Sequence, residues 1–271
     1  MARTKELDML NGALLPKLMM FSLPLALTGI LQLLFNAAEG SVFQNQQLRQ
    51  ALAGIARENV TVPSGGLYAA AKGLVPEGLT VDGLDYRDAA GDPLPTISEP
   101  KALYLAARQG MATSDFSGVT LLLPKNAGLS ELADQINSAW QKECSLFFSV
   151  EEVEQDEFDA RIAAGKYTIA LAPIRAEGGS VYQMLQQFTA AGGSLTGYAD
   201  TVYADRLALS AQQTGKDRCA LLAQCERQLL ESCTVVPLMA QQKRLLLANG
   251  VRDLVFDPFF PVLDLTWAKI S

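Results

Sequence analysis

Between Gly118 and Ala172 the chain alternates short apolar runs with amphipathic segments, and this alternation constrains its fold more than any other feature. Val119 to Leu123 reads as a strand closed by Pro124. A helix follows, with Ser130 as its expected N-cap and Leu132, Ile136, Ala139 and Trp140 on one face. Ser145 to Val150 is a second apolar run, too short for a good helix. Phe158 and Ile162 mark another amphipathic turn, stopped at Gly165. Tyr167 to Leu171 is the third strand. Strands separated by helices of this length imply crossover connections and a largely parallel sheet. Ligands of such sheets sit beyond the C-terminal ends of the strands. The residues after Leu171, namely Pro173, Ile174, Arg175 and Glu177, are therefore the expected ligand-facing group.

Composition narrows the chemistry. The 271 residues include 22 Lys and Arg against 29 Asp and Glu, a net charge of −7, and no histidine. An acidic chain without a basic cluster is poorly suited to phosphate backbones, so no nucleic-acid partner is expected. The absence of histidine removes His-based acid–base catalysis, His-dependent nucleophiles and His-ligated zinc. Cys144, Cys219, Cys225 and Cys233 form no C-x-x-C pair and read as free, partly buried thiols. An exported chain offers the alternative of a Cys225–Cys233 pair. The acidic run from Glu151 to Asp159 lacks the spacing of a calcium loop and reads as a solvated helix start. No metal, cofactor or catalytic set is expected, and the chain reads as a non-enzyme.

Leu18 to Phe35 is an uncharged run preceded by Arg3, Lys5 and Lys17. Eighteen helical residues span about 27 Å, close to the hydrocarbon thickness of a bilayer. The readings are a membrane anchor, a secretory signal or a buried element, the first being favoured with the N-terminus cytoplasmic. The wording MARTKELDMLNG and LLPKLMMFSLPLALTGILQLLFNAAE resembles the opening of multidrug and toxic compound extrusion transporters. That resemblance covers about a seventh of the chain. It offers an alternative reading, a membrane-transport fragment carrying the rest as a passenger.

Downstream, Asn45 is expected to cap a helix with Leu48, Ala51, Leu52 and Ile55 on one face. Pro63 to Pro100 is rich in Gly, Pro and Asp and reads as a long ordered loop region. Helices are expected at 101–111, 181–189, 199–210 and 217–231, the last behind a capping box at Thr214. Strands are expected at 234–239 and 244–248.

Several landmarks in this region occur together and in order. Phe43 to Leu52 carries F-x-N-x-x-L-R-x-A-L. Leu74 to Leu79 carries x-V-P-x-G. Trp140-Gln141-Lys142, then Phe158 through Ala170, then Tyr203 to Leu207, then Leu229 to Leu238 complete the series. Residues 41–271 thereby resemble the C-terminal half of family 5 extracellular solute-binding proteins, the peptide- and nickel-type receptors of ABC importers. The resemblance implies an α/β, periplasmic-binding-protein-like (type II) C-terminal lobe with a mixed, largely parallel sheet. It implies residues 1–40 as a hydrophobic helix foreign to the rest, 41–245 as the lobe, and 246–271 as a segment returning toward a first lobe that the chain does not include. It also implies a peptide or other small solute as ligand, an ABC permease as partner, and a location on the extracytoplasmic side, anchored or exported through residues 18–35. At the expected site the family often has a Trp and an acidic residue; here Ala172-Pro173-Ile174-Arg175-Ala176-Glu177 stands instead. Arg175 is suited to a ligand carboxylate and Glu177 to an amine, and a surface ion pair between them is the alternative.

Overall fold

The computed structural model describes residues 29–63, 68–175 and 180–241, with the short stretches 251–252, 255–256, 263–264, 266 and 268–270. The chain divides into two units. One comprises residues 29–242, the other residues 1–28 and 243–271. In the second of these, β9 (Val251–Arg252) pairs antiparallel with β12 (Lys269–Ile270), and β10 (Val255–Phe256) with β11 (Leu263–Asp264). The strand expected at 244–248 lies outside the described residues.

The larger unit is built on a six-stranded sheet. Its strands are β1 (Gly29–Phe35), β2 (Tyr68–Ala70), β5 (Thr120–Pro124), β6 (Ser149–Val153), β7 (Ile169–Arg175) and β8 (Val235–Gln241). Their order is β2-β8-β1-β7-β5-β6. β5 runs parallel to β6 and β7, while β1 is antiparallel to both β7 and β8. Four strands thus point one way, and β1 and β2 run against them. The expected crossovers from β5 to β6 to β7 are present, through α4 (Ser130–Cys144) and α5 (Gln155–Ala163).

The largest departure from expectation is β1. Residues 29–35 were expected as the second half of a membrane-spanning or otherwise hydrophobic N-terminal helix. They form instead an inner strand of the sheet, hydrogen-bonded on both sides. Among the described residues no helix is long and apolar enough to cross a membrane. The physical reason is burial on both faces: such a strand needs no polar alternation and reads as one continuous apolar run. Leu31, Leu33 and Phe35 face the main core, and Ile30, Gln32 and Leu34 are equally buried on the other face. The likeness to extrusion transporters gains no support, since the last residues of its expected helix belong to this sheet. Residues 1–28 lie outside the described residues.

The main core lies between one face of the sheet and α1 (Gln46–Asn59), α3 (Pro100–Arg108) and α4. Asn45 caps α1 as expected, its Oδ1 accepting from the Leu48 N–H at 3.0 Å. Gly54 lets α3 approach closely: a Cβ there would stand 2.8 Å from the Pro100 Cβ. Trp140, wholly buried, donates its indole N–H to the Leu52 carbonyl at 2.9 Å and ties α4 to α1. Elsewhere, α2 (Tyr86–Ala90) packs on α8 (Gly215–Glu231), as do α6 (Val181–Gln186) and α7 (Thr201–Ser210). The region expected as loop between Pro63 and Pro100 contributes β2 to the sheet edge, the hairpin of β3 (Thr80–Val81) and β4 (Leu84–Asp85), and α2.

Candidate ligand-binding edge

The strand directions fix where a site can lie. β5, β6, β7 and β8 all end at the same edge of the sheet, at Pro124, Val153, Arg175 and Gln241. The antiparallel strands begin there: Gly29 stands opposite Arg175, and Tyr68 opposite Gln241. The chain therefore enters and leaves the larger unit at the edge where its parallel strands finish. Open α/β sheets bind ligands at that edge, where loops rather than regular structure present backbone and side chains.

Part of this edge is closed by its own hydrogen bonds. The Lys125 N–H donates to the Val153 carbonyl at 2.8 Å, joining the ends of β5 and β6. Lys125 Nζ meets Glu154 Oε1 at 2.9 Å, and the hydrogen bond to that carboxylate raises the ammonium's pKa. Ser130 Oγ donates to Glu152 Oε1 at 2.8 Å; Ser130 is the first helical residue of α4 rather than its N-cap. The acidic run is likewise spent on neighbours, with Arg161 Nη1 2.6 Å from Glu151 Oε1.

At the other part of the edge, β7 runs four residues past the Leu171 at which it was expected to stop. Pro173, Ile174 and Arg175 are its last residues, opposite Leu31, Ile30 and Gly29. The ladder to β5 is recorded only at Ile169 and Ala170, so beyond them a residue without an N–H is accommodated on that side. Arg175 thus ends a strand at the edge rather than lying in a loop, and Glu177 lies outside the described residues. Pro173, Ile174 and Arg175 are consecutive residues of this strand, so Pro173 and Arg175 belong to one face of the sheet and Ile174 to the other.

The motif residues turn out to be framework. Phe43 packs against Phe35 with ring centroids 5.1 Å apart. Arg49, buried in α1, donates to the carbonyls of Ser232 (2.9 Å), Phe43 (2.6 Å) and Gln44 (3.1 Å). Burial lowers the Arg49 pKa, partly offset by Cys233 and Tyr198. Tyr203 donates to the Leu185 carbonyl at 2.7 Å. The loop Leu74–Leu79 is held by Glu226, a wholly buried carboxylate that sequence reasoning missed. It accepts from the Leu74 N–H (2.8 Å), the Val75 N–H (3.0 Å) and the Tyr86 hydroxyl (2.9 Å), and pairs with Arg87. Burial, then Glu226 itself, pushes the Tyr86 hydroxyl far up in pKa, which keeps it a donor. Asp200 caps α7 by accepting from the Tyr203 N–H at 2.9 Å, and accepts from Tyr198 and Gln228 as well. Its partial burial is outweighed by these donors, and its pKa is lowered.

All four cysteines are buried free thiols. Among the described residues no group of three acidic or cysteine side chains is arranged to hold a metal ion.

No family model matches the chain, and no curated protein does. Solved structures do. An oligopeptide ABC transporter substrate-binding domain from Bacillus anthracis matches with a TM-score of 0.69 over 90% of this chain and 50% of that one, at 17% identity. OppA of Listeria monocytogenes, solved bound to peptide, matches with 0.67 over 90% of this chain and 49% of that one, at 18% identity. The fold is that of a periplasmic-binding-protein-like peptide-binding domain. A peptide-binding protein of a peptide ABC transporter matches with 0.66 at 18% identity, over 79% of this chain and 99% of that one. The chain spans about half the length of the first two structures.

Proposed function

We propose that the chain is a ligand-binding lobe of an ABC-importer receptor, taking peptides or another small solute on the extracytoplasmic side and handing them to a permease. One observation carries the reading: an α/β sheet whose parallel strands end together beside an antiparallel β1, in the arrangement of peptide-binding domains. The residues assigned to the ligand are Pro173, Ile174, Arg175 and Glu177, the first three being the end of β7 at that edge. Arg175 takes a ligand carboxylate and Glu177 an amino group. Binding requires no cofactor and no bond-making, so the chain acts by recognition and not by catalysis.

A single lobe supplies part of the polar contacts of such a site and little desolvation, so binding by this chain alone is no tighter than roughly millimolar, and micromolar peptide binding by calorimetry would contradict this. Saturation-transfer NMR is suited to that range. The test compares a short peptide with a free C-terminus and its C-terminal amide on the intact chain and on Arg175→Ala. The substitution is expected to weaken the free acid about tenfold, the size of one charge-assisted hydrogen bond, and to leave the amide unchanged. Equal loss for both ligands removes the role of Arg175. Failure of every peptide to bind the intact chain removes the peptide reading itself.

A further inference from the structure

An open cleft of about 670 Å3 lies in the helical layer, where the last turns of α1 and α4 meet the start of α3. Its apolar lining is Ile55 and Pro100, both buried, with Ala102 and Leu105. Leu105 is 58% exposed, an apolar side chain left open to solvent on the cleft wall. Packing holds the cleft in shape. Pro100, the first residue of α3, is seated against Gly54 of α1, and Trp140 of α4 donates to the Leu52 carbonyl of α1. The three helices are tied to one another, so the space between their ends is formed in advance of any ligand. None of its lining residues belongs to the strand ends at the candidate edge, and the cleft is separate from the peptide site proposed above.

The charges of the cleft are unevenly spent. Three carboxylates line it, Glu58, Glu99 and Glu143, against one ammonium, Lys101. Glu143 is taken: Lys101 Nζ lies 3.2 Å from its Oε2 and Lys142 Nζ 3.5 Å from its Oε1, and the Lys101 bond lowers its pKa. Glu58 and Glu99 have no ion pair and no side-chain hydrogen bond among the described residues. Glu99 caps α3 with its backbone alone, its carbonyl accepting from the Ala102 and Leu103 N–H groups at 2.9 and 3.1 Å. Glu58 stands in the last turn of α1, where the helix end is itself partly negative. A carboxylate without a cation is unfavourable at that end, and a bound cation reverses the sign of the effect. Two unspent carboxylates beside a preformed apolar lining match a molecule with an aliphatic body and a positive charge at each end.

We propose that this cleft is a second ligand site, taking a small aliphatic diamine with its ammonium groups on Glu58 and Glu99 and its methylene chain over Ile55, Pro100 and Leu105.

The test titrates the full chain, labelled with 15N, with 1,5-diaminopentane at constant ionic strength, and runs 1-aminopentane and 1,5-pentanediol beside it. The diamine is expected to shift the amides of residues 58–60 and 101–105 and to bind about threefold more tightly than the monoamine, the size of one exposed ion pair. Glu58→Gln and Glu99→Gln are each expected to bring the diamine down to the affinity of the monoamine. Both positions are exposed, so the variants keep the fold. Equal affinity for diamine, monoamine and diol overturns the proposal. So does the lack of any shift at these amides, a set of shifts gathered at the candidate edge in their place, or an undiminished affinity in both variants.

Discussion

Arg87 Nη2 lies 2.9 Å from one carboxylate oxygen of Glu226 and 3.2 Å from the other, across 139 residues of sequence. The same carboxylate accepts from two backbone N–H groups and the Tyr86 hydroxyl, so α8, α2 and the loop at Leu74–Val75 converge on one side chain. Removing one partner of such a buried pair strands the other. Glu226→Ala is expected to cost about 3–5 kcal/mol, and Glu226→Gln, which keeps the shape and one acceptor, less. Urea denaturation measures both. A loss under about 1 kcal/mol for the alanine variant contradicts the assignment of Glu226 as an anchor.

Gly54 sets two effects of known size against each other. Alanine in a helix interior gains about 1 kcal/mol over glycine. Here its methyl would stand 2.8 Å from the Pro100 Cβ and 3.0 Å from the Ile97 Cγ2, both in packed positions with little freedom to yield. Overpacking costs about 1–3 kcal/mol. Gly54→Ala is expected to destabilise on balance, and a melting temperature at or above that of the native chain contradicts the close α1–α3 contact.

The thiols give a prediction with a pH direction. Burial pushes Cys144, Cys225 and Cys233 up to about 11, from an ordinary value of 9.0. Their folded-state pKa values lie above the unfolded ones. The stability this contributes is whole below pH 9.0 and is lost as pH rises toward about 11. The native chain is expected to resist a thiol reagent at pH 8 and to react once unfolded in urea. Rapid reaction of the native chain at pH 8 contradicts the burial.

The sequence made the βαβαβ core legible because each element there has its own period: Leu132, Ile136 and Trp140 mark one helix face, and Leu121 to Leu123 a buried strand. β6 was displaced by about four residues because Leu146 and Phe148 are buried before the strand begins, while Ser149 and Val150, inside it, are exposed. β1 was misread because a strand buried on both faces has no period to distinguish it from an apolar helix. β7 was cut short because proline and arginine are weak strand signals, yet both sit where the ladder to β5 has ended. Glu226 was invisible because its partner, Arg87, is brought to it by tertiary packing alone. The motif series located the frame of the lobe; the ligand-facing edge followed from strand direction.

The most direct test of the central claim is a 15N NMR titration of the full chain with a mixture of short peptides, to about ten times the millimolar affinity expected. The account predicts shift changes gathered just past the end of β7, at the amides of residues 174–177. Changes gathered instead around Asn36, Tyr167 and Thr196, at the opposite edge of the sheet, or no change at all, would contradict it.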